Sequence, residues 1–310
     1  MAAGGTTVDG KPRESIPAAI VMSGAVSAGI TVLTNPLDCL RVRWQVLPHA
    51  RARETAGGLV GFAREIVARE GFAAGLWRPG LGANMLAVFN CTGIRIGIYP
   101  TVRDALLAAT GSRGAAERDG ATMAAAGLLS GALSFFVATP FFQAKTRLQA
   151  EAGAPRRAYR GMAHFFASCA RNEGPAALLR GADALVLRGS LLSMGHLAGY
   201  DGAKTWAKRR GVLSEGPVLH ASASLAGALL AATLASPGDR VMTEYQTAAD
   251  RRVSYRSAVH CARALAQTEG ALAFWRGWWP LFLRIGPTFA GFGVGYEALR
   301  ALAGLDAFGS

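Results

Sequence analysis

Three long stretches of the chain contain no Asp, Glu, Lys or Arg. They span residues 15–37, 121–144 and 216–238. Each exceeds the ~20 residues that a helix needs to cross the ~30 Å hydrocarbon core of a bilayer. All three are rich in Gly, Ala and Ser, small residues that let helices pack closely inside a membrane. The pattern favours membrane-spanning helices, with the core helices of a large soluble protein as the alternative.

A motif that begins with proline closes each uncharged stretch and recurs at a nearly constant step. Its copies are residues 36–45, 140–149 and 237–246, beginning at Pro36, Pro140 and Pro237 and ending in glutamine. The prolines lie 104 and 97 residues apart. Two other landmarks keep this register: a Glu-Gly pair, at Glu70, Glu173 and Glu269, and a tyrosine, at Tyr99, Tyr200 and Tyr296. Three markers in one register predict three copies of a unit about a hundred residues long.

Each unit is predicted to hold a helix, an amphipathic connector and a second helix. The second helices are expected at about 77–106, 180–208 and 276–303, with arginines in mid-span. The chain divides into a tail and three repeats, at residues 1–15, 16–112, 113–212 and 213–310. Six spans result, so both termini lie on one side of the membrane.

Basic residues are concentrated in the three connectors. The chain has 33 Lys and Arg against 20 Asp and Glu, a formal charge of +13, and 51% of its residues are hydrophobic. The connectors, residues 41–78, 145–180 and 240–276, hold 20 of the bases and 8 of the acids. Because positive loops stay on the side from which insertion is directed, we expect the connectors inside and the termini outside. The bases lie singly rather than in a long run, which argues against nucleic acid as a partner.

Enzyme motifs are scarce in this sequence. The four cysteines, Cys39, Cys91, Cys169 and Cys261, lack the spacing of a metal site or a disulfide framework. Residues 199–205 resemble a phosphate loop only loosely, since Ala203 separates Gly202 from Lys204. The HExxH and GxSxG motifs do not occur. We therefore expect no catalysis, no metal and no cofactor.

The repeats resemble the mitochondrial carrier family, from about residue 16 to residue 302. That family carries Pro-x-Asp/Glu-x-x-Lys/Arg on each odd-numbered helix and Tyr/Phe-Asp/Glu-x-x-Lys/Arg on each even-numbered helix. The resemblance implies an all-α membrane protein with six transmembrane helices in a pseudo-threefold barrel and three short matrix-side amphipathic helices. It implies the mitochondrial inner membrane, with both termini toward the intermembrane space. It also implies a central cavity that opens alternately to each side.

The resemblance assigns the proline motifs to an inner gate on the matrix side. Each proline lacks an N–H group and kinks its helix, which draws three helix ends together. By the cyclic pairing of the family, Asp38 would bridge Lys145, and Asp239 would bridge Arg41. Each odd-numbered helix would thus offer an acid to one neighbour and a base to the other.

The third pair of the inner gate departs from the family pattern. It would join Phe142 to Met242, so both partners are apolar. Loss of the acid alone would strand a cation at a cost of ~3 kcal/mol, and the joint change compensates for it. Three glutamines at equivalent positions, Gln45, Gln149 and Gln246, resemble those that brace the gate pairs in the family.

An outer gate is implied where the tyrosine motifs lie. Its residues by resemblance are Arg103, Asp201, Lys204, Glu297 and Arg300. Asp201 would pair with Arg300, and Glu297 with Arg103. Pro100 stands where the acid of the first repeat belongs.

Candidate substrate contacts lie thirteen residues before each outer-gate acid position. They are Ala87, Arg188 and Arg284, near mid-span, where the substrate contacts of the family lie. An arginine within a membrane is costly unless it faces water, a partner or an anion. Two arginines suit a substrate with two negative charges. Arg188 and Gly189 resemble the pair of an arginine and a polar residue in oxo-acid carriers, from which the glycine departs. Arg95 is either another cavity base or a packing residue.

The sequence therefore predicts a secondary transporter of small dicarboxylates or oxo-acids, such as oxaloacetate, malate or sulfate-like anions. An uncoupler that depends on protons or fatty acids, or a carrier of another solute class, remains an alternative, and an enzyme is a third. Expected partners are the anionic substrate and membrane lipids, cardiolipin among them, since basic connector helices suit anionic head groups. We expect the protein to act as a monomer.

Overall fold

The chain folds into α-helices joined by short connections. The computed structural model describes residues 15–48, 55–109, 120–154, 157–211, 217–251 and 253–302. The helices within these ranges are α1 (Ile16–Val46), α2 (Gly58–Glu70), α3 (Leu81–Ala109), α4 (Gly120–Ala150), α5 (Met162–Asn172), α6 (Ala182–Arg209), α7 (Pro217–Thr247), α8 (Ala258–Thr268) and α9 (Trp278–Leu302). A short helical turn precedes each second long helix, at Ala73–Trp77, Pro175–Leu179 and Ala271–Trp275. The predicted order of long helix, connector helix and long helix is therefore present three times.

The six long helices form a closed ring. Around it, α1 contacts α3, α3 contacts α4, α4 contacts α6, α6 contacts α7, α7 contacts α9, and α9 returns to α1. The first long helices of the three repeats, α1, α4 and α7, also contact one another. Pro36, Pro140 and Pro237 lie inside these three helices. The ion pairs that join these three helices, Asp38 with Lys145 and Arg41 with Asp239, lie two to five residues beyond the prolines, so the helices converge at that end of the ring.

The recurrent glycines of the connectors follow from backbone conformation. The glycines of the Glu-Gly pairs have positive φ: 79° at Gly71, 87° at Gly174 and 83° at Gly270. This left-handed region is open to glycine at little steric cost. The glycines at the start of the second long helices also have positive φ: Gly80, Gly181 and Gly277. In the second and third repeats an arginine, Arg180 or Arg276, directly precedes this glycine, whereas Pro79 separates Arg78 from Gly80. Gly80 has positive φ all the same.

Close helix contacts depend on small residues. A Cβ atom at Gly195 would lie 2.7 Å from Ala231 Cα, and one at Gly199 would lie 2.8 Å from Gly227 Cα. These positions hold α6 directly against α7. Between α1 and α3, a Cβ atom at Gly93 would lie 2.7 Å from the carbonyl oxygen of Ile20. We call the α6–α7 and α1–α3 contacts the glycine seams.

The outer surface of the ring is suited to lipid. Large apolar side chains are exposed there, including Leu33 at 80% and Leu187 at 57%. Among the described residues, three helical segments are long and apolar enough to cross a membrane: Ile16–Val46, Ala73–Ala109 and Ala125–Ala150. The third uncharged stretch lies in α7.

Candidate inner gate and substrate site

Two ion pairs join the first long helices of the repeats, α1, α4 and α7, where these helices converge. Lys145 Nζ of α4 lies 2.9 Å from Asp38 Oδ2 of α1. Arg41 of α1 donates to Asp239 Oδ1 of α7. All four side chains are at most 2% exposed. These are the two contacts that the resemblance implied, and they tie α1 to both other helices.

The third corner of this convergence is apolar. Phe142 of α4 and Met242 of α7 are buried in one cluster with Phe135 and Leu185. The rings of Phe135 and Phe142 lie 6.4 Å apart between centroids. Both members of the expected odd pair therefore lie in dry surroundings, where an apolar side chain requires no hydrogen-bond partner.

The three glutamines have different surroundings. Gln45 Nε2 donates to Asp239 Oδ2 at 2.9 Å, beside the Arg41 contact. Gln149 Nε2 donates to Asn35 Oδ1 at 3.1 Å rather than to a gate carboxylate. In the described part of the chain, both side-chain polar atoms of Gln246 are buried without a hydrogen-bond partner. Each glutamine packs against the glycine that starts a second long helix of another repeat, but only Gln45 contacts a gate ion pair.

The predicted substrate arginines lie on the gate carboxylates. Arg188 Nε of α6 donates to Asp239 Oδ1 at 2.6 Å. Arg284 Nη1 of α9 lies 3.5 Å from Asp38 Oδ1. Arg188 is 6% exposed, and the side chain of Arg284 is 14% exposed. The two arginines thus belong to the same polar cluster as the gate pairs.

This cluster carries more positive than negative charge. Its carboxylates are Asp38 and Asp239, and its bases are Arg41, Lys145, Arg188 and Arg284. With all six groups ionised, the cluster has two surplus positive charges. Buried charges are costly without partners, so this surplus favours an incoming anion.

Two asparagines missed by the sequence analysis complete the Asp38 corner. Asn84 Nδ2 of α3 donates to Asp38 Oδ2 at 2.9 Å and to Asn35 Oδ1 at 2.8 Å. Asn35 Nδ2 in turn donates to the carbonyl of Trp77 at 2.6 Å. In the register of the repeats, Asn84 corresponds to the buried Leu185 and Leu281. The asparagine at a position where the other two repeats have leucine was the sequence signal that could have pointed to Asn84.

A cavity of about 930 Å³ opens on the side of the ring opposite the connectors. Arg95 and Gly189 line it, together with Tyr99, Phe135 and Tyr296. Its lining is mainly apolar, and Arg95 is the charged side chain among its described lining residues.

Three of the five predicted substrate contacts do not line this cavity. Arg188 and Arg284 lie in the polar cluster described above. Ala87 is fully buried in the apolar cluster that holds Phe142. In this structure Ala87 packs against the neighbouring helices, and its contact with a substrate stays a prediction.

The structure describes some of the side chains expected at the outer gate. Arg103 Nη2 pairs with its neighbour Asp104 at 2.8 Å, and both side chains are exposed. Pro100 lies within α3, and Lys204 lies on α6. The side chains of Asp201, Glu297 and Arg300, and hence both expected pairs, lie outside the described residues.

On the connector side, each repeat ties a long helix to its Glu-Gly pair. Arg43 Nη2 lies 2.6 Å from Glu70 Oε1, and Arg147 donates to Glu173. In the third repeat Glu244 stands where the arginine would be, and Arg240 Nη2 reaches Glu269 Oε1 at 3.1 Å instead.

Two carboxylates on the connector side, Glu173 and Asp250, have opposite pKa shifts. The hydrogen bond from Arg147 holds the pKa of Glu173 below its ordinary value of 4.5. Burial raises the pKa of Asp250 above its ordinary value of 3.8, although Arg147 and the Tyr159 hydroxyl, which donates to it at 2.8 Å, oppose that shift. Asp250 follows α7, so these contacts join the second repeat to the third.

A basic groove lies between the first two repeats on the connector side. It has a volume of about 410 Å³. Arg78, Arg157 and Arg160 line it, together with Gly80 and Gly161, where α3 and α5 begin. Backbone N–H groups at helix starts and arginine side chains both attract anions.

Comparisons with known proteins agree with this architecture. A family model described as "Mitochondrial carrier protein" matches residues 13–109, 118–211 and 214–306. Mitochondrial uncoupling protein 1 of Arabidopsis thaliana is 31% identical over 89% of this chain and 90% of its own length. The mitochondrial 2-oxoglutarate/malate carrier protein of Mus musculus is 29% identical over 92% and 90%. Mitochondrial citrate transporter F of Aspergillus niger is 30% identical over 89% and 86%. The chain, with its three repeats and closed ring of helices, belongs to the mitochondrial carrier family.

Proposed function

We propose that this protein exchanges small dicarboxylates or oxo-acids across the mitochondrial inner membrane by alternating access. The observation that carries the proposal is the buried cluster of four bases and two carboxylates around Asp38 and Asp239, which has two surplus positive charges when all six groups are ionised. A substrate with two carboxylates would supply the two missing negative charges. The names of the 2-oxoglutarate/malate carrier and citrate transporter relatives support the same class of anion.

The geometry supports a carrier closed toward its connectors and open on the opposite side. The cavity of about 930 Å³ is the way in, and Arg95 is its described base. The basic connectors support a matrix location for the closed end, with both termini toward the intermembrane space in that orientation. In this orientation the basic groove at Arg78 and Arg160 would take an anionic lipid head group such as that of cardiolipin. The closed ring within one chain supports action as a monomer.

The decisive test changes Arg188 and Arg284 one at a time to Ala in protein reconstituted into liposomes. If both bind the anion, each change removes a charge-assisted bond worth ~1.5–3 kcal/mol, so apparent affinity for labelled malate should fall roughly 10- to 150-fold. A lysine should rescue only part of this loss, because it keeps the charge but not the planar fork that meets a carboxylate with two bonds.

Arg43→Ala is the matched control, since Arg43 is also mostly buried and ion-paired but lies on the connector side with Glu70. It should lower thermal stability and leave substrate preference unchanged. If Arg188→Ala and Arg284→Ala behave like this control, the two arginines do not bind the substrate and the assignment is withdrawn.

A second candidate function is proton leak that depends on a fatty acid. The mainly apolar lining of the cavity, with Arg95 among it, suits an anion that has a hydrocarbon tail. The uncoupling-protein relative supports the same alternative. Liposomes loaded with a pH-sensitive dye distinguish the two: fatty-acid-stimulated proton leak without malate uptake favours the uncoupler, and malate exchange without leak favours the carrier.

A further inference from the structure

A proline inside a helix leaves one backbone carbonyl without its usual donor. That carbonyl belongs to the residue four positions earlier, because proline has no N–H group to donate to it. Pro36 lies inside α1 and Pro237 inside α7, so the carbonyls concerned are those of Val32 and Thr233. In a membrane-spanning helix such a group is costly to leave unpaired, since lipid supplies no donor.

Indole N–H groups on the connector side reach both of these carbonyls. Trp77 Nε1 donates to the carbonyl oxygen of Val32 at 2.7 Å. Trp275 Nε1 donates to the carbonyl oxygen of Thr233 at 3.1 Å, and Trp278 Nε1 donates to the Thr233 hydroxyl at 3.1 Å. Trp77 and Trp275 each end the short helical turn that precedes a second long helix. The first and third repeats thus share one arrangement, in which the turn satisfies the carbonyl that the proline of its own repeat left unpaired.

The second repeat has no indole at this place. Leu179 stands directly before an arginine, as Trp77 and Trp275 do in the other repeats. The leucine side chain has no donor, so it cannot pair with the carbonyl of Phe136, four residues before Pro140. The turn of the second repeat therefore packs against α4 without this hydrogen bond.

We infer that Trp77 and Trp275 are positioning residues, which fix the kinks of α1 and α7 to the connector turns that follow them. Both indoles lie on the outer surface of the ring, 37% and 41% exposed, and neither lines the cavity of about 930 Å³. Because each turn leads directly into the second long helix of its repeat, a movement of α1 carries α3 with it, and a movement of α7 carries α9. The kink of α4 lacks this tie and is expected to bend more freely.

A double-mutant cycle tests the bond without reference to any substrate. Trp77→Phe keeps an aromatic ring but removes the N–H donor, so thermal unfolding in detergent should occur ~2–4 °C lower. Pro36→Ala returns a backbone donor to the carbonyl of Val32, so in that background Trp77→Phe should cause no additional loss. Trp206→Phe is the matched control, because Trp206 is 54% exposed near the opposite end of α6 and should tolerate the change. Losses that add in full would overturn the inference.

A distance measurement separates positioning from stability alone. Spin labels on Val21→Cys and Phe72→Cys report on α1 before its kink and on the start of the connector turn. Both native side chains are more than half exposed, and the four native cysteines are buried. The distribution of distances between the two labels should become broader when Trp77→Phe is added. An unchanged distribution would mean that the bond stabilises the fold without positioning the turn, and would overturn the inference.

Transport of labelled malate in liposomes gives a further readout. Trp77→Phe and Trp275→Phe should each lower kcat roughly 2- to 10-fold, the size of effect that one hydrogen bond supports, and leave KM unchanged. Leu179→Phe introduces the same ring where no indole bond exists, and it should change neither constant. A higher KM with an unchanged kcat would contradict the inference. If the wild type does not transport malate, the proposed function fails, and the double-mutant cycle and the label distances still decide this inference.

Discussion

At the α1–α4 corner of the inner gate Asp38 meets Lys145, whereas at the α4–α7 corner the equivalent positions hold Phe142 and Met242. The charged corner needs partners on every side, and Asn84 and Arg284 supply two of them. The apolar corner needs only close packing. The helices α1, α4 and α7 thus meet through ion pairs at two corners and through apolar side chains at the third. On the proposed function, an anion would act at the charged corners, which offer it a base.

The largest effect is expected when the apolar corner is made half-charged. Phe142→Asp would bury an unpaired carboxylate opposite Met242 and should lower the free energy of unfolding by ~3–5 kcal/mol. Adding Met242→Lys supplies a partner and should recover part of the loss. Thermal unfolding in detergent measures both variants. A double variant no more stable than the single one would mean that these two positions do not meet.

Removing the ion pair between Asp38 and Lys145 should lower the free energy of unfolding somewhat less than Phe142→Asp does. Asp38→Asn leaves Lys145 with a weaker partner, and Lys145→Ala leaves Asp38 with Arg41 and Arg284. Each change should destabilise the protein by about 3 kcal/mol, and the double variant should lose less than the sum. Strictly additive losses in a double-mutant cycle would show that the 2.9 Å contact contributes nothing.

Gln45, at the charged α1–α7 corner, and Gln246, which follows Met242 on α7, also differ in their contacts. Gln45→Leu removes a hydrogen bond to Asp239 and should destabilise the protein by ~1–3 kcal/mol. Gln246→Leu replaces a buried amide that has no hydrogen-bond partner among the described residues, so it should be neutral or stabilising by about 1 kcal/mol. Equal losses in the two variants, measured by thermal unfolding, would remove the distinction.

The smallest effects concern Glu173 and Asp250, whose pKa values shift in opposite directions. Because the pKa of Glu173 is lowered in the folded state, Glu173→Gln should destabilise the protein at pH 7. This loss should shrink as the pH falls below 4.5, where the wild type begins to lose the contribution of that carboxylate. The pKa of Asp250 is raised, so Asp250→Asn should be neutral or slightly stabilising at pH 7.

Stability measured as a function of pH checks both statements. Any gain from Asp250→Asn should vanish as the pH falls through the raised pKa, because the wild-type carboxyl group then takes up its proton. A loss at pH 7 in Asp250→Asn as large as that in Glu173→Gln would contradict the opposite shifts.

Much of the fold could be predicted because it depends on local and repeated patterns. The uncharged stretches, the prolines and the Glu-Gly pairs fixed the helix order, and the helices expected near 77–106 and 180–208 are observed at Leu81–Ala109 and Ala182–Arg209. The gate pairs were available only through the resemblance, since side-chain spacing within one helix does not reveal its partners on another. The contacts of Arg188 and Arg284 with aspartates were missed because they depend on how far two arginine side chains reach between helices.

The glycine seams have a consequence for motion. Where backbone meets backbone, as at Gly199 and Gly227, there are no long side chains whose rotamers could change to let one helix slide past the other. We therefore expect α6 and α7 to move as one rigid body, although they belong to different repeats. We expect α1 and α3 to form a second rigid body. Transport would then be a movement of a few rigid bodies relative to one another, at the other helix contacts of the ring. The three repeats would not rotate as identical units.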